Sequence, residues 1–403
     1  MDTLESAESA PAPTPASLPR ASLGKQLAIN VFWFANNLHW QAILAIIFPA
    51  VIATQLAFQD KGLNLAIATA PGILVAFFLN PFVGALSDYA RFKMGRRRPF
   101  MIIGTVFNVL VLVGFGLLAY FADGATLTPT TVLLGLVVLF VLLEASNNFA
   151  NAPWSAIIAD EIPADQRGSA SGFYGLLTLL GTVAGFLIAG SLVQTQQNGA
   201  NTQPINSADF RTHVLIAYLV IAAMQALLVI LTVVSVKEKP LTQPRPLIWR
   251  EFFSRFKLEA RKYPDFTWVL LTRLLMMTGI WSVYFFLQYY MQDVLGITGN
   301  GHGASAFGLT VTSPQLAQTV FLVVVMLTAA VTVYFAGALS DRWGRKSLVY
   351  ISGAMMTIVC MIFIFFQTLG GSLIAAAFFG LGYGAYTSVD WALATDVLPP
   401  TDE

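Results

Sequence analysis

The chain has 403 residues, 56% of them hydrophobic and only 11% charged, with a formal net charge of +1. That composition cannot cover a soluble globular surface and describes an integral membrane protein. It also excludes a nucleic-acid-binding protein, because no basic patch carries the interleaved aromatics such a site needs.

The first 24 residues (1–24) are rich in Pro, Ala and Ser and mildly acidic, with no basic region ahead of a short apolar core. They are expected to form a disordered cytoplasmic tail rather than a cleavable signal peptide. Apolar stretches long enough to cross about 30 Å of hydrocarbon then run near 27–53, 64–86, 100–121, 131–158, 170–194, 212–236, 266–294, 313–339, 347–368 and 372–395. These are helices 1 to 10, in that order. Lys and Arg are retained on the cytoplasmic side in short loops. With the amino terminus inside, all of the 22 basic residues except Lys61, Arg211 and Arg273 fall on that side. The expectation is a multi-pass protein of the plasma or inner membrane with a cytoplasmic amino terminus.

On helix 1, Asn30, Phe34, Asn37 and Gln41 share a face with Trp33 and Trp40 at its edge. His39 falls about half a turn out of phase with Asn30 at 3.6 residues per turn, which makes it a packing residue. Pro81 should kink or loosen helix 2, which ends in Gly84-Ala-Leu-Ser-Asp88, followed by Gly95-Arg96-Arg97-Arg98. On helix 4, Glu144, Asn147, Asn148, Asn151 and Ser155 follow i, i+3, i+4, i+7, i+11 and point one way. Gly181 and Gly185 in helix 5 permit a close helix crossing.

After helix 6 the apolar pattern breaks at Lys237-Glu-Lys239, two prolines and a mixed-charge stretch (Arg250, Glu251, Arg255, Lys257, Glu259, Arg261, Lys262). This is the expected cytoplasmic linker, 237–263, between a six-helix bundle at 25–236 and a second bundle at 264–403. Helix 7 aligns Arg273, Met277, Trp281, Tyr284 and Gln288. Between helices 8 and 9 the loop motif returns as Gly337-Ala-Leu-Ser-Asp341-Arg342-Trp-Gly344-Arg345-Lys346. The single Cys360 sits in an apolar run as a packing or lipid-facing thiol and excludes a disulfide framework. Helix 10 carries Gly380, Gly382 and Gly384 for close packing and aligns Tyr383, Tyr386, Thr387 and Asp390.

The twin loop motifs superpose helices 2, 3 and 4 on helices 8, 9 and 10. A second echo sets Trp154-Ser-Ala-Ile-Ile-Ala-Asp160-Glu-Ile-Pro163 against Trp391-Ala-Leu-Ala-Thr-Asp396-Val-Leu-Pro399. The first half continues into two more helices, whereas the second stops at Glu403. The expected parent therefore has six plus six helices, with a natural ten-helix protein as the alternative.

The spacing at 337–346 resembles the signature loop of the major facilitator superfamily between its helices 8 and 9. Asp88, Gly95, Arg96, Arg97, Arg98, Pro99 and Phe100, with Glu144-Ala-Ser-Asn147-Asn148, Pro153 and Asp160, resemble the sucrose-transporter and glycoside–cation symporter branch. The fold class implied is an all-α membrane protein of major-facilitator type. Its two pseudo-symmetric six-helix bundles here supply ten transmembrane helices, and the last two of the second bundle are absent.

Asp88 and Asp341 end their helices beside glycines and guanidinium clusters, so the two loops can latch the cytoplasmic mouth through ion pairs. The resemblance implies a gate made of Gly84, Asp88, Gly95, Arg96, Arg97, Arg98, Gly337, Asp341, Arg342, Gly344, Arg345 and Lys346, bridging the halves. The alternative is simple inside-positive anchoring. The polar stripes lie on helices 1, 4, 7 and 10, which are equivalent under the repeat. They suit a cavity for a neutral polyhydroxylated ligand, with amides bonding hydroxyls and rings stacking on sugar faces. Its expected lining is Asn30, Asn37, Gln41, Asn147, Asn148, Asn151, Trp281, Tyr284, Gln288, Tyr383 and Tyr386; polar helix-to-helix packing is the alternative.

A carboxyl in low dielectric is penalised when charged, so Glu144 can accept a proton outside, hold it while neutral and release it inside; its alternatives are an ion pair with Arg273 or an asparagine network. Asp390, nearer the cytoplasmic end, is the second candidate for proton coupling, and Arg273 either snorkels or forms an ion pair.

Ser155 stands where sucrose carriers place an arginine, which counts against sucrose itself, and helix 2 has Asn80-Pro81 but no acid before Asp88, which favours protons over sodium. An enzyme is excluded, since three His and one Cys leave no zinc set and no nucleotide-binding loop occurs. The expectation is a monomeric proton-coupled sugar symporter working by alternating access, with a lipid bilayer, protons and a polar small molecule as partners and no metal or cofactor. An exporter of another solute, or a sensor or scaffold that keeps the fold, is the alternative.

Overall fold

The computed structural model describes residues 20–90, 92–199, 202–236 and 261–397. Nearly all of the expected tail and linker, including the mixed-charge stretch from Arg250 to Glu259, lies outside the described residues, as does the end of the second echo beyond Val397.

Ten helices among the described residues are long and apolar enough to cross a membrane. They are α1 (Leu23–Gln55), α2 (Lys61–Asp88), α3 (Arg98–Phe121), α4 (Pro129–Glu161), α5 (Arg167–Leu192), α6 (Ala208–Ser235), α7 (Pro264–Asp293), α8 (Pro314–Trp343), α9 (Arg345–Phe365) and α10 (Leu369–Asp396). Several begin the same way: the hydroxyls of Thr128, Ser207 and Ser313 each accept an N–H three residues on, from Thr131, Phe210 and Leu316 at 3.0–3.3 Å. These caps satisfy donors that hydrocarbon cannot. Pro129 and Pro314 occupy the first turn, where a missing N–H is harmless.

Two helices accommodate internal prolines differently. In α1, Ala42–Ile47 widens into a π turn in which the Phe48 N–H reaches back to Ile43 O. The next residue, Pro49, has no N–H, and its ring would strike the carbonyl of Ala45 in a regular turn. By contrast α2 remains one helix through both Pro71 and Pro81. Pro81 therefore does not break it, and the neighbouring Asn80 is tied across to α4 through Asn148 at 2.7 Å.

The repeat appears in the packing. In the first half α4 lies against α2 and α3, and in the second α10 lies against α8 and α9. Glycines set these distances: a Cβ at Gly181 or Gly185 of α5 would strike the α1 carbonyls of Phe34 and Leu38, and one at Gly380 or Gly384 of α10 would strike α8 at Val325 and Ala329. In lipid, such close approach replaces the missing hydrophobic drive between helices. The outer faces are apolar, with Phe77, Phe78, Leu274, Leu275 and Phe365 all exposed. Cys360 is exposed on α9 beside exposed Met361, the lipid-facing alternative for that thiol. An outward-facing groove lies between α3 and α6, lined by Ile102, Val106, Leu110 and Ile230; with Thr105 as its one polar residue, it suits an acyl chain rather than a polar solute.

One element is not anticipated from the sequence. Between α7 and α8, β1 (Ala304–Ala306) pairs antiparallel with β2 (Leu309–Val311) around Phe307-Gly308, both at positive φ, as a two-residue hairpin turn requires.

Substituting Gly185→Ala should destabilise the protein by about 1–3 kcal/mol, the usual penalty of overpacking. Gly175→Ala, where nothing lies within 4 Å of the new Cβ, should leave stability unchanged. Unfolding titrations in detergent would measure both.

Candidate functional site

The basic loops define one end of the bundle, here the loop end; the β-hairpin lies at the far end. On α1 the two ends differ sharply. Residues 42–56 are all buried, whereas Trp33, Phe34, Asn37, Trp40 and Gln41, nearer the loop end, are half-buried. Asn37 spends one donor on Trp33 O at 2.9 Å, and the Gln41 Oε1 has no partner within the protein. Asn30, although in phase with them, is covered by α5: its amide donates to Gln26 O at 2.9 Å and Ala170 O at 3.1 Å. It packs α1 on α5 and does not line an open face. His39 is fully buried, with Nδ1 3.3 Å from Ala35 O and its ring edge-on to Trp40, a packing residue as expected.

The α4 stripe divides along its length. Glu144 and Asn148 turn toward α2: Asn148 Nδ2 donates to Glu144 O at 2.8 Å and lies 3.4 Å from its carboxylate, while its Oδ1 accepts from Asn80 Nδ2 of α2 at 2.7 Å. Gly72 of α2 leaves room for the Phe140 ring and, beside it, the Glu144 side chain. Asn148 is thus committed to a hydrogen-bonded seam between helices, a role the cavity assignment did not give it. Glu144 is buried, and no basic side chain pairs with it among the described residues. Asn147 is buried, Asn151 half-buried with an unpartnered Oδ1, and Ser155 exposed toward the loop end.

In the second half Arg273 of α7 pairs with Asp390 of α10 at 3.2 Å, and the Tyr386 hydroxyl donates to the same carboxylate at 2.8 Å. Arg273 therefore forms an ion pair rather than snorkelling, and its acid is Asp390 rather than Glu144. Trp281 is half-buried against Tyr284, with ring centroids 5.5 Å apart. Tyr383 stacks on Phe379.

Tyr174 of α5, which the polar stripes leave out, stands beside this open face. With Trp33 and Trp154 it builds an aromatic cluster joining α1, α4 and α5, with centroids 5.0 Å apart for the tryptophans and 5.3 Å for Trp33 and Tyr174. Trp154 is anchored by an indole bond of 2.9 Å to Ile29 O. A signal existed: Tyr174 and Thr178 continue the Gly181–Gly185 face at i, i+4, i+7, i+11, the face that meets α1.

At the loop end the first motif forms a network. Arg97, almost wholly buried, reaches Asp88 at 3.0 Å, Asp160 at 2.6 Å and Pro153 O at 3.4 Å, and Arg96 adds a second contact to Asp160 at 2.8 Å. Asp88 is thus held by ion pairing as expected, within its own half, and Asp160 of the second echo is the shared acid. Lys25 reinforces the same end by pairing with Glu161 at 2.6 Å. Gly95 and Gly344, equivalent in the two motifs, both take positive φ (101° and 83°), which L side chains rarely adopt. In the second motif Arg342 and Lys346 are exposed, Arg345 is half-buried, and the burial of Gly337 and the side chain of Asp341 lie outside what is described.

At the far end the halves meet. Lys61 Nζ binds Asp293 at 2.7 Å and sits 3.7 Å above the Phe58 ring. Tyr289 donates to Pro49 O at 3.3 Å, Thr319 to Phe186 O at 3.2 Å, and the Gln315 Oε1 accepts from the Thr195 N–H at 3.0 Å. Gln288, fully buried, belongs to this seal and not to the open side: with its amide oriented to satisfy both ends, it donates to Ile46 O at 3.0 Å and accepts from Gln315 Nε2 at 2.9 Å.

Several known proteins are similar to this chain. A sucrose transport protein of Arabidopsis thaliana is 29% identical over 181 residues, covering 42% of this chain and 34% of its own length. The general alpha-glucoside permease of Schizosaccharomyces pombe is 26% identical over 190 residues (46% and 34%), and the human proton-associated sugar transporter A 28% over 233 residues (56% and 29%). The chain spans about a third of the length of each of these relatives. Among solved structures, an inward-facing bacterial homologue of the human lysosomal transporter Spinster superposes with a TM-score of 0.67 at 16% identity, covering 94% of this chain and 77% of that one. A D-xylose–proton symporter superposes with 0.60 at 14% identity, covering 94% and 83%. The Major Facilitator Superfamily model matches residues 31–402, and a chain that writes this loop twice and packs its helices twice on one plan belongs to that superfamily.

Proposed function

We propose that the protein is a secondary active transporter that moves a neutral sugar or glycoside together with protons by alternating access. The observation that carries this reading is the asymmetry of the helix interface. Side chains from both halves seal the far end, whereas amides and aromatic rings of α1, α5, α7 and α10 stand half-buried toward the loop end. Basic residues put the loop end in the cytoplasm, so this conformation opens inward. Sugar carriers among the relatives support the ligand class.

The ligand's ring faces would lie against Trp33, Tyr174, Trp281 and Tyr383, and its hydroxyls would meet Asn37, Gln41, Asn147 and Asn151, while Tyr386, buried with its hydroxyl on Asp390, would hold that acid rather than the ligand. Between the two buried acids, the proton falls to Glu144. Asp390 already has Arg273 and a phenol to balance its charge and serves to hold α7 on α10. Glu144 has only the neutral Asn148, so its charged form lacks a counter-ion and protonation relieves the desolvation penalty. Asn148 and Asn80 link that event to α2, the helix that ends in Asp88 of the loop latch.

In proteoliposomes, Glu144→Gln should abolish sugar-driven proton uptake while retaining sugar counterflow, which needs no net proton movement. Proton uptake at the rate of the unsubstituted protein would remove Glu144 from this role. Asp293→Asn leaves Lys61 without its acid and weakens the far-end seal by roughly 1 kcal/mol, about a fivefold shift toward the far-open state. Thiol labelling of Thr54→Cys in a Cys360→Ser background should accelerate by that factor.

A further inference from the structure

The far-end interface buries more amides than its seal employs. Gln197, on the segment after α5, and Gln292, on the last turn of α7, are fully buried, and neither atom of either amide has a hydrogen-bond partner among the described residues. The Thr298 hydroxyl and Gln318 Nε2 are buried and unpartnered as well. These groups form one layer. Gln288 lies one turn below Gln292 on the same face of α7 and bonds Gln318 and Gln315 of α8. Gln315 in turn bonds Thr195, two residues before Gln197, and the Gln197 N–H donates to Thr298 O at 2.8 Å.

An unbonded buried amide costs about 1–3 kcal/mol, and an apolar side chain of the same shape would close this interface more firmly. Groups so poorly served in the closed state must be served in the open one. When the far end opens, the layer becomes the wall of a vestibule presenting amide donors and acceptors together, the set a polyhydroxylated molecule can engage. The Lys61–Asp293 pair next to it neutralises itself, so nothing in the layer selects an ion.

We propose that this glutamine layer is a second binding site for a neutral polyhydroxylated solute, exposed when the far end is open and buried when the halves meet upon it. It rests on the transport reading above but uses residues separate from the central amides and aromatics. Occupation there would hold the halves apart until the solute moves inward, so the site would gate as well as capture.

The test uses the full chain in proteoliposomes of both orientations, with sucrose and maltose as probes. The double variant Gln197→Leu with Gln292→Leu removes only amides that make no hydrogen bond in the closed state. KM for uptake from the far side should rise about tenfold, well beyond the smaller loop-side fall that tighter closure by the leucines produces, and Gln292→Asn behaves as the unsubstituted protein. An unchanged far-side KM in the double variant overturns the proposal. So does a far-side rise matched by a loop-side fall, which would mean that the amides only bias the conformational equilibrium. If the double variant fails to fold, Gln292→Leu alone is held to the same criteria. Absence of sugar flux by the unsubstituted protein would instead overturn the transport reading and this proposal with it, an outcome distinguishable because it precedes any substitution.

Discussion

Hydrocarbon supplies no hydrogen bonds, so every polar group in this bundle must find its partner in the chain, in an aqueous cavity or at an interface between helices. The arrangement of the ten helices follows from how that demand is met. Asn30, Trp154 and Thr232 each donate to a carbonyl of a neighbouring helix and fix α1, α4, α5 and α6 as one body. Arg273, Asp390 and Tyr386 do the same for α7 and α10. Among the described residues, the hydrogen bonds and the ion pair that join the two bodies lie at the far end.

The first loop motif shows how local chemistry serves this plan. Asp88 at the end of α2, Arg97 before α3 and Asp160 near the end of α4 form a single charged knot, with the guanidinium almost wholly buried. Such a knot locks three helices of one half together at the loop end. The glycine ahead of it supplies the backbone turn, as its counterpart does between α8 and α9. The duplicated sequence therefore repeats the positive-φ glycine while the connections differ, residues 89–97 between α2 and α3 but Gly344 alone between α8 and α9.

Much of this was legible in the sequence, and for physical reasons. Long apolar runs, the segregation of basic residues and a twice-written loop report composition and period, which do not depend on neighbours. Gly181, Gly185, Gly380 and Gly384 were likewise readable, because a glycine on a helix face in lipid has few uses other than close approach. What failed was assignment within a stripe. Asn148 and Asn151 share one helical face, yet α2 covers the first and leaves the second, and only the packing of a third helix decides that. Gln288 shows the same limit along the helix axis, since its stripe passes from an open half into a sealed one. Tyr174 was passed over because its helix reads as a packing element, though the packing face and the aromatic face are continuous. The β-hairpin carries no strand pattern long enough to notice.

The widened turn in α1 bears on how one helix can line an open space and also close it. A single extra residue in a turn advances every later side chain by about 100° about the axis. The face bearing Asn37 and Gln41 below the turn is therefore not the face continued above it, where Phe48, Val51 and Ile52 are packed on all sides. Pro49 thus acts as a rotational offset between two surfaces of the same rod, one wettable and one dry.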